Sequence, residues 1–404
     1  MNERPARQAL IFGAGSVGRG FLGHLLHDSG YELVFVDIDE RLLRAINERQ
    51  GYTLRLAGLD HVEDLHIGPV RGIHADDQEA ISQALVEADL VVTAVGARSL
   101  SAVAASLAVG LVSRARYRPE APLNIIICEN VKHAASFLRQ AIRRHLLSRL
   151  HDYLERRVGF VMSVIARMVT SPPPEIQAVD PTLIIAEPYR RLFVNRHGFV
   201  GRIPDIVGLE PLDHFSAWVD WKLYIHNAGH AVLGYLGYLR GYTYGYEALD
   251  DPAIALWVRR AMRESAQALA IEHGFDRDAL EAQIQDLLRR FANRHLKDPI
   301  VRLARDPLRK LAPSDRLVGA ATLCWRHRIR PDALTLGIAA ALMYDAPSDL
   351  EARRLQDRLW AKGVDGVLQE VCGLKPDDEL VRMIRARYQK LHSSGIPIAS
   401  VKED

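Results

Sequence analysis

Cysteine, long apolar runs and an excess of one charge sign are all scarce in this chain of 404 residues. Its three cysteines, Cys128, Cys324 and Cys372, are widely spaced. They form neither a disulfide framework nor a CxxC metal motif, and are read as reduced and structural. No stretch approaches the roughly 18 uninterrupted apolar residues that suggest a membrane span. The start, MNERPARQALIFGAG, leads from charges through a short apolar run straight into a glycine turn, unlike a signal peptide. A cytoplasmic protein without membrane contact is expected. With 52 basic against 50 acidic residues the net charge is only +2, which gives no bulk attraction to nucleic acid. A small molecule is the expected partner. Internal repeats and low-complexity tracts are also missing, and the length favours two domains over a single core.

What is present is a change of character near residue 205. Before it, short β-branched runs (QALIFGAG, ELVFVD, LVVTAV, LNIIIC) alternate with helical stretches, the pattern of a parallel sheet with crossover helices. YTLRLAGLDHVEDLHIGPV predicts an antiparallel insertion, and GFVMSVIARMV and LIIAE predict further strands. After residue 205 the chain reads as almost entirely helical. Asp251-Pro252 opens a helix that closes at Gly274, and Asp278 with Glu281, then Ser348 with Glu351, resemble capping boxes. The expected fold is α/β: a doubly wound, Rossmann-type N-terminal domain over residues 1–205 with inserted strands, then an all-helical C-terminal domain over 206–404.

GAGSVG, Gly13 to Gly18, follows the first strand and opens a helix. The dinucleotide fingerprint requires Gly13 for the tight turn, Gly15 for backbone approach to a pyrophosphate and Gly18 for close helix packing, with Ser16 and Val17 at the positive helix end. Asp37 closes the second strand 19 residues beyond Gly18, where a carboxylate can accept from ribose hydroxyls; this favours NAD over NADP. LNIIICEN ends another strand, and strand carboxyl ends face the ligand crevice in such sheets. Asn130 is therefore placed to reach the nicotinamide or the reacting oxygen, and Glu129 is either a ligand group or a solvated loop acid.

WKLYIHNAGH, Trp221 to His230, begins a helix that is apolar almost all round yet carries Lys222, His226, Asn227 and His230. At α-helical spacing the four could line one wall. They could be satisfied core polar residues, or a Lys222 whose stem is buried and whose ammonium reaches water, a metal pair at His226 and His230 without the acid of HExxH, or a catalytic wall in which a desolvated Lys222 serves as general base.

With GAGSVGRGF, CEN, EPY, KLYIHNAGH and DPLRKLAPSDRL in that order, the chain resembles the polyol-specific long-chain dehydrogenase/reductase (mannitol dehydrogenase) family from about residue 8 to 390. The resemblance implies a zinc-independent, usually monomeric enzyme with no bound metal. It implies that Lys222 is the general acid/base and that Asn227 and His230 hold the reacting oxygen and the substrate. It also places Arg302 and Lys310 on positions resembling substrate-binding basic residues, and Arg309 adds a charge suited to a phosphate. One departure stands out: in GFVMSVIARM, Met162 and Ala166 occupy positions where the family carries carboxylates. The expected activity is NAD-dependent interconversion of a polyol phosphate and a ketose phosphate. The alternatives are an oxidoreductase for an unphosphorylated polyol or sugar acid, and a nucleotide-binding sensor without catalysis.

Overall fold

The computed structural model describes residues 7–129 and 133–396. It divides into one unit ending at Phe215 and a second beginning at Ser216.

Twelve strands belong to the first unit: β1 (Arg7–Phe12), β2 (Tyr31–Asp37), β3 (Tyr52–Ala57), β4 (Val62–Ile67), β5 (Val70–His74), β6 (Leu90–Thr93), β7 (Leu123–Ile127), β8 (Val158–Ile165), β9 (Val169–Thr170), β10 (Ile184–Ala186), β11 (Leu192–Asn195) and β12 (Leu209–Leu212). Eight form one sheet in the order β12-β11-β8-β7-β6-β1-β2-β5. The run from β8 to β5 is parallel throughout, and β11 pairs antiparallel with β8. The expected insertion is there as the antiparallel pair β3 and β4, extended by β10 and β9 into a separate four-stranded sheet. The boundary expected after residue 205 falls short of β12, which pairs with β11 and so belongs to the first unit. Its sequence, LEPL, is too short and proline-broken to announce a strand, and position at a sheet edge makes it tolerable.

Alternation explains why the central strands read as continuous apolar runs. Ala9, Ile11, Leu33, Phe35, Leu90 and Val92 join the core on one face, while Leu10, Phe12, Val34, Val36 and Val91 join the core on the other. Helices cover both faces, so period-two side chains have no polar side to occupy. Because the chain leaves β1 for β2 on one side and reaches β6 on the other, the loop after β1 lies at the point where strand order reverses.

The second unit is helical. Pro252–His273 is capped by Asp251, whose carboxylate accepts from Ala253 and Ile254 N–H, and it ends at Gly274 with φ 71°, as the sequence predicts. Two caps differ from expectation. Asp276, not Asp278, accepts from Ala279 N–H, and Asp349, not Ser348, accepts from Glu351 N–H, because in each case the earlier or later acid has the extended backbone that an N-cap needs. Glu281 instead pairs with Arg263 at 2.7 Å. Asp332–Leu342 is buried on nearly every side and packs against Ala228–Leu239 and Glu379–Ser394. No helix among the described residues is long and apolar enough to cross a membrane.

A buried polar network lies in the first unit. His24 is fully buried; its Nδ1 accepts from Arg167 Nη1 at 3.1 Å and its Nε2 faces Asp28 at 3.3 Å. Burial, then the Arg167 charge, lowers its pKa to about 4. A histidine whose folded pKa lies below its unfolded value of about 6.5 binds fewer protons when folded, so its stabilisation is present at neutral pH and lost as pH falls. Between pH 7.5 and 5 this one group should cost up to about 2 kcal/mol. The melting temperature of the wild type should fall more steeply over that range than that of His24→Asn. Equal slopes would contradict the assignment.

Candidate active site

The glycine turn is built as the fingerprint demands. Gly13 has φ 99°, and a Cβ there would sit 2.4 Å from the Ala94 carbonyl oxygen at the end of β6. At Gly18 a Cβ would come within 1.9 Å of the Gly13 oxygen, so the helix can close on the turn only without a side chain. Gly15 is different: it is exposed, and nothing lies within 4 Å of where its Cβ would be. That open side at a helix mouth, flanked by partly buried Ser16 and Val17, fits a pyrophosphate. Asp37 is held rigidly, its Oδ2 accepting from Ala14 N–H at 2.6 Å and its Oδ1 from Ile38 N–H at 2.7 Å. Oδ1 also accepts from Asp39 N–H at 3.1 Å, so Oδ2 is the oxygen that retains acceptor capacity for a ribose hydroxyl.

Glu129 is not the solvated loop acid that the sequence allowed. It is buried and accepts from Thr93 Oγ1 at 2.7 Å and Val95 N–H at 3.1 Å, tying the end of β7 to that of β6. Burial raises its pKa, although these bonds oppose the shift. Asn130 lies outside the described residues. Met162 packs at the edge of the core, where its sulfur accepts from Ala135 N–H at 3.3 Å, and Ala166 is buried.

In the second unit, Phe215–Trp221, Lys222–Asn227 and Ala228–Leu239 form one continuous helix whose middle segment is a π turn. This changes the geometry assumed from regular α spacing. Closing bonds from i to i+5 brings residue i+5 over residue i, so Asn227 lies on the stripe of Lys222, whereas α spacing sets it well to one side. Lys222 is only partly buried, so it is less desolvated than the catalytic-wall reading assumed. The surplus residue of a π turn leaves no composition signal, which is why the sequence could not reveal it.

The His226 and His230 rings lie 5.0 Å apart, edge to face, and His230 stacks on Phe291 at 3.8 Å. The pKa of each histidine is driven well below its ordinary value, first by burial, then for His226 by its titrating neighbour His230 and by Arg290, and for His230 by Arg302 and Arg290. Both rings are therefore neutral at pH 7. Asn227 Nδ2 and His226 Nδ1 are buried and have no hydrogen-bond partner among the described residues. Unsatisfied buried donors and acceptors are costly, and a carbinol or carbonyl oxygen would satisfy them. No group of three or more His, Cys, Asp or Glu among the described residues could hold a metal ion.

The basic segment reaches this wall by close backbone approach. A Cβ at Gly234 would meet the Leu303 backbone at 2.9 Å, so Ile300–Ala304 lies directly against the helix that carries His230. Arg302 forms a two-pronged ion pair with Asp298. Lys310 is buried, donates to the Leu303 carbonyl, sits 5.5 Å from the centre of the Tyr235 ring and has its pKa driven well down by burial. Both charges act on His230. Arg309 is not among the charges that do: it pairs with Asp306 and, at 3.5 Å, with Asp315, and its side chain is 46% exposed. The sequence reading also passed over Arg290 and Arg316, both buried beside the histidines.

A nucleotide-type sheet with a ligand-ready glycine turn, followed by a helical unit presenting lysine, asparagine and histidine on one helix, defines a two-domain dehydrogenase architecture. The chain belongs to the mannitol dehydrogenase family. Residues 7–208 match the mannitol dehydrogenase Rossmann domain and residues 214–392 its C-terminal domain. It is 40% identical to a mannitol-1-phosphate 5-dehydrogenase of Bacillus subtilis, covering 93% of this chain and 98% of that one. It is 34% identical to a protein of the same name from Thermoanaerobacter pseudethanolicus, with 95% and 98% coverage. Among solved structures, the mannitol 2-dehydrogenase of Pseudomonas fluorescens, in ternary complex with NAD and D-mannitol, shares the fold with a TM-score of 0.76 at 19% identity, covering 97% of this chain and 93% of that one.

The glycine turn yields a prediction. Gly15→Ala should fold with an unchanged melting temperature, since its Cβ enters open space, yet weaken NADH binding by roughly tenfold, about 1.4 kcal/mol. Gly18→Ala should instead lose about 1–3 kcal/mol of stability, because its Cβ meets backbone. Thermal melts and NADH fluorescence titration check both; unimpaired NADH binding by Gly15→Ala would contradict the assigned pyrophosphate position.

Proposed function

We propose that this protein is an NAD-dependent dehydrogenase that interconverts mannitol 1-phosphate and fructose 6-phosphate. The observation that carries the reading is the π turn that puts Asn227 on the stripe of Lys222, beside neutral histidines and buried cations. The names of the relatives support it too.

Gly13, Gly15, Ser16, Val17, Gly18 and Asp37 would hold NAD, which when bound supplies the acceptor for the hydride leaving the carbinol carbon. Lys222 takes the hydroxyl proton in the oxidative direction and returns it to the oxygen in the reductive one. Asn227 donates its spare N–H to the oxygen as charge develops there, and one such donor can be worth about 3 kcal/mol. Asn130 is assigned as a second donor from its sequence position just after the LNIIIC strand. His230, fixed by its stack on Phe291, orients the substrate. Arg302 and Lys310 give the wall a positive potential suited to an anionic sugar derivative.

The test is product identity. Incubation with NADH and fructose 6-phosphate should give mannitol 1-phosphate by NMR, with NADPH a poor substitute because Asp37 repels a 2′-phosphate. Absence of product, with turnover of fructuronate or fructose instead, would overturn the reading.

A further inference from the structure

Arg316 stands outside the basic stretch that sequence pattern alone picks out, yet its setting in the helical unit is more demanding than that of Arg309. It is 8% exposed. One edge of its guanidinium is fixed, since Nε donates to Asp315 Oδ1 at 2.7 Å. The same carboxylate oxygen accepts from the Arg316 backbone N–H at 2.7 Å. Nη2, on the same side of the guanidinium as Nε, is buried and has no hydrogen-bond partner among the described residues. A guanidinium tethered at Nε and unsatisfied at the neighbouring Nη2 is pre-organised for an anion: the tether removes rotamer freedom, and the open N–H groups stay costly until an acceptor arrives.

The location of this open donor is equally specific. Arg316 lies close enough to His226, His230 and Lys310 for its charge to depress the pKa of all three. Arg290, 8% exposed, acts on both histidines as well. Of the other basic groups named above, Arg302 is satisfied by Asp298 and Lys310 by the Leu303 carbonyl, Arg309 is engaged by Asp306, and Lys222 has its place in proton transfer. A dianionic ester drawn into this wall therefore meets an available charged donor at Arg316, where a neutral polyol would leave that donor unsatisfied.

We propose that Arg316, and not Arg309, receives the phosphate group of the substrate and sets the preference for a phosphorylated sugar. This rests on the polyol-phosphate reading above. Arg316 acts on ground-state binding of the ester, so its loss appears mainly in KM.

The experiment compares kcat and KM for fructose 6-phosphate and for fructose in the wild type, Arg316→Gln, Arg316→Lys and Arg309→Gln, together with the rise in melting temperature caused by inorganic phosphate. Arg316→Gln should cut the preference for fructose 6-phosphate by about 10² through KM and abolish the phosphate-induced rise. Arg316→Lys should recover part of both, and Arg309→Gln should change the preference by less than about threefold. If the wild type prefers the phosphate ester and Arg316→Gln keeps that preference, or if Arg309→Gln is the variant that loses it, the role of Arg316 is refuted while the polyol-phosphate reading stands. If the wild type shows no preference, that reading fails and this proposal with it. A uniform loss towards both sugars in Arg316→Gln, not recovered by Arg316→Lys, would show a structural role and also overturn the proposal.

Discussion

Lys222→Ala should turn over substrate more slowly by a factor of about 10² to 10⁴ while still binding NADH. The lysine occupies the first position of the π turn, on the same stripe as Asn227, and is partly buried. Without it, the proton leaving the carbinol oxygen must go to water. Neither His226 nor His230 can replace it readily, because burial and the surrounding cations hold both imidazoles at very low basicity. The effect should fall on kcat and on kcat/KM alike, as expected for an interaction made in the transition state. An added primary amine should restore part of the rate. Near-normal kcat in the variant would remove Lys222 from the chemistry.

Much of this was legible in the sequence, and for identifiable reasons. β1, β2, β6 and β7 were visible because strands buried on both faces must be apolar at every position. The glycine turn was visible because positive φ at Gly13 and the 1.9 Å approach at Gly18 leave no other residue type. β12 was not, since LEPL depends on its neighbour β11 for its conformation rather than on propensity. The orientation of Lys222 relative to Asn227 was hidden for a different reason: sequence spacing is converted to direction only by assuming a helix type, and the π turn breaks that assumption. Charge was the least legible property. Arg302, Arg309 and Lys310 look equivalent as letters, but their carboxylate and carbonyl partners make them unequal, and Arg316 is picked out only by burial and an open donor.

The second large effect concerns the phosphate. Hydrogen bonds to charged groups contribute about 1.5–3 kcal/mol each, so even two donors on a phosphate amount to at least 10²-fold, roughly, in kcat/KM. Bidentate arginine geometry adds to this where a guanidinium edge is open.

The most direct measurement is therefore kcat/KM for NADH-dependent reduction of fructose 6-phosphate against fructose and fructuronate, in the wild-type protein at one pH and ionic strength. The phosphate ester should exceed fructose by about 10² or more, with fructuronate well below the ester. Equal efficiency with fructose, or a higher value for fructuronate, would contradict the assignment of this cationic wall to a polyol phosphate.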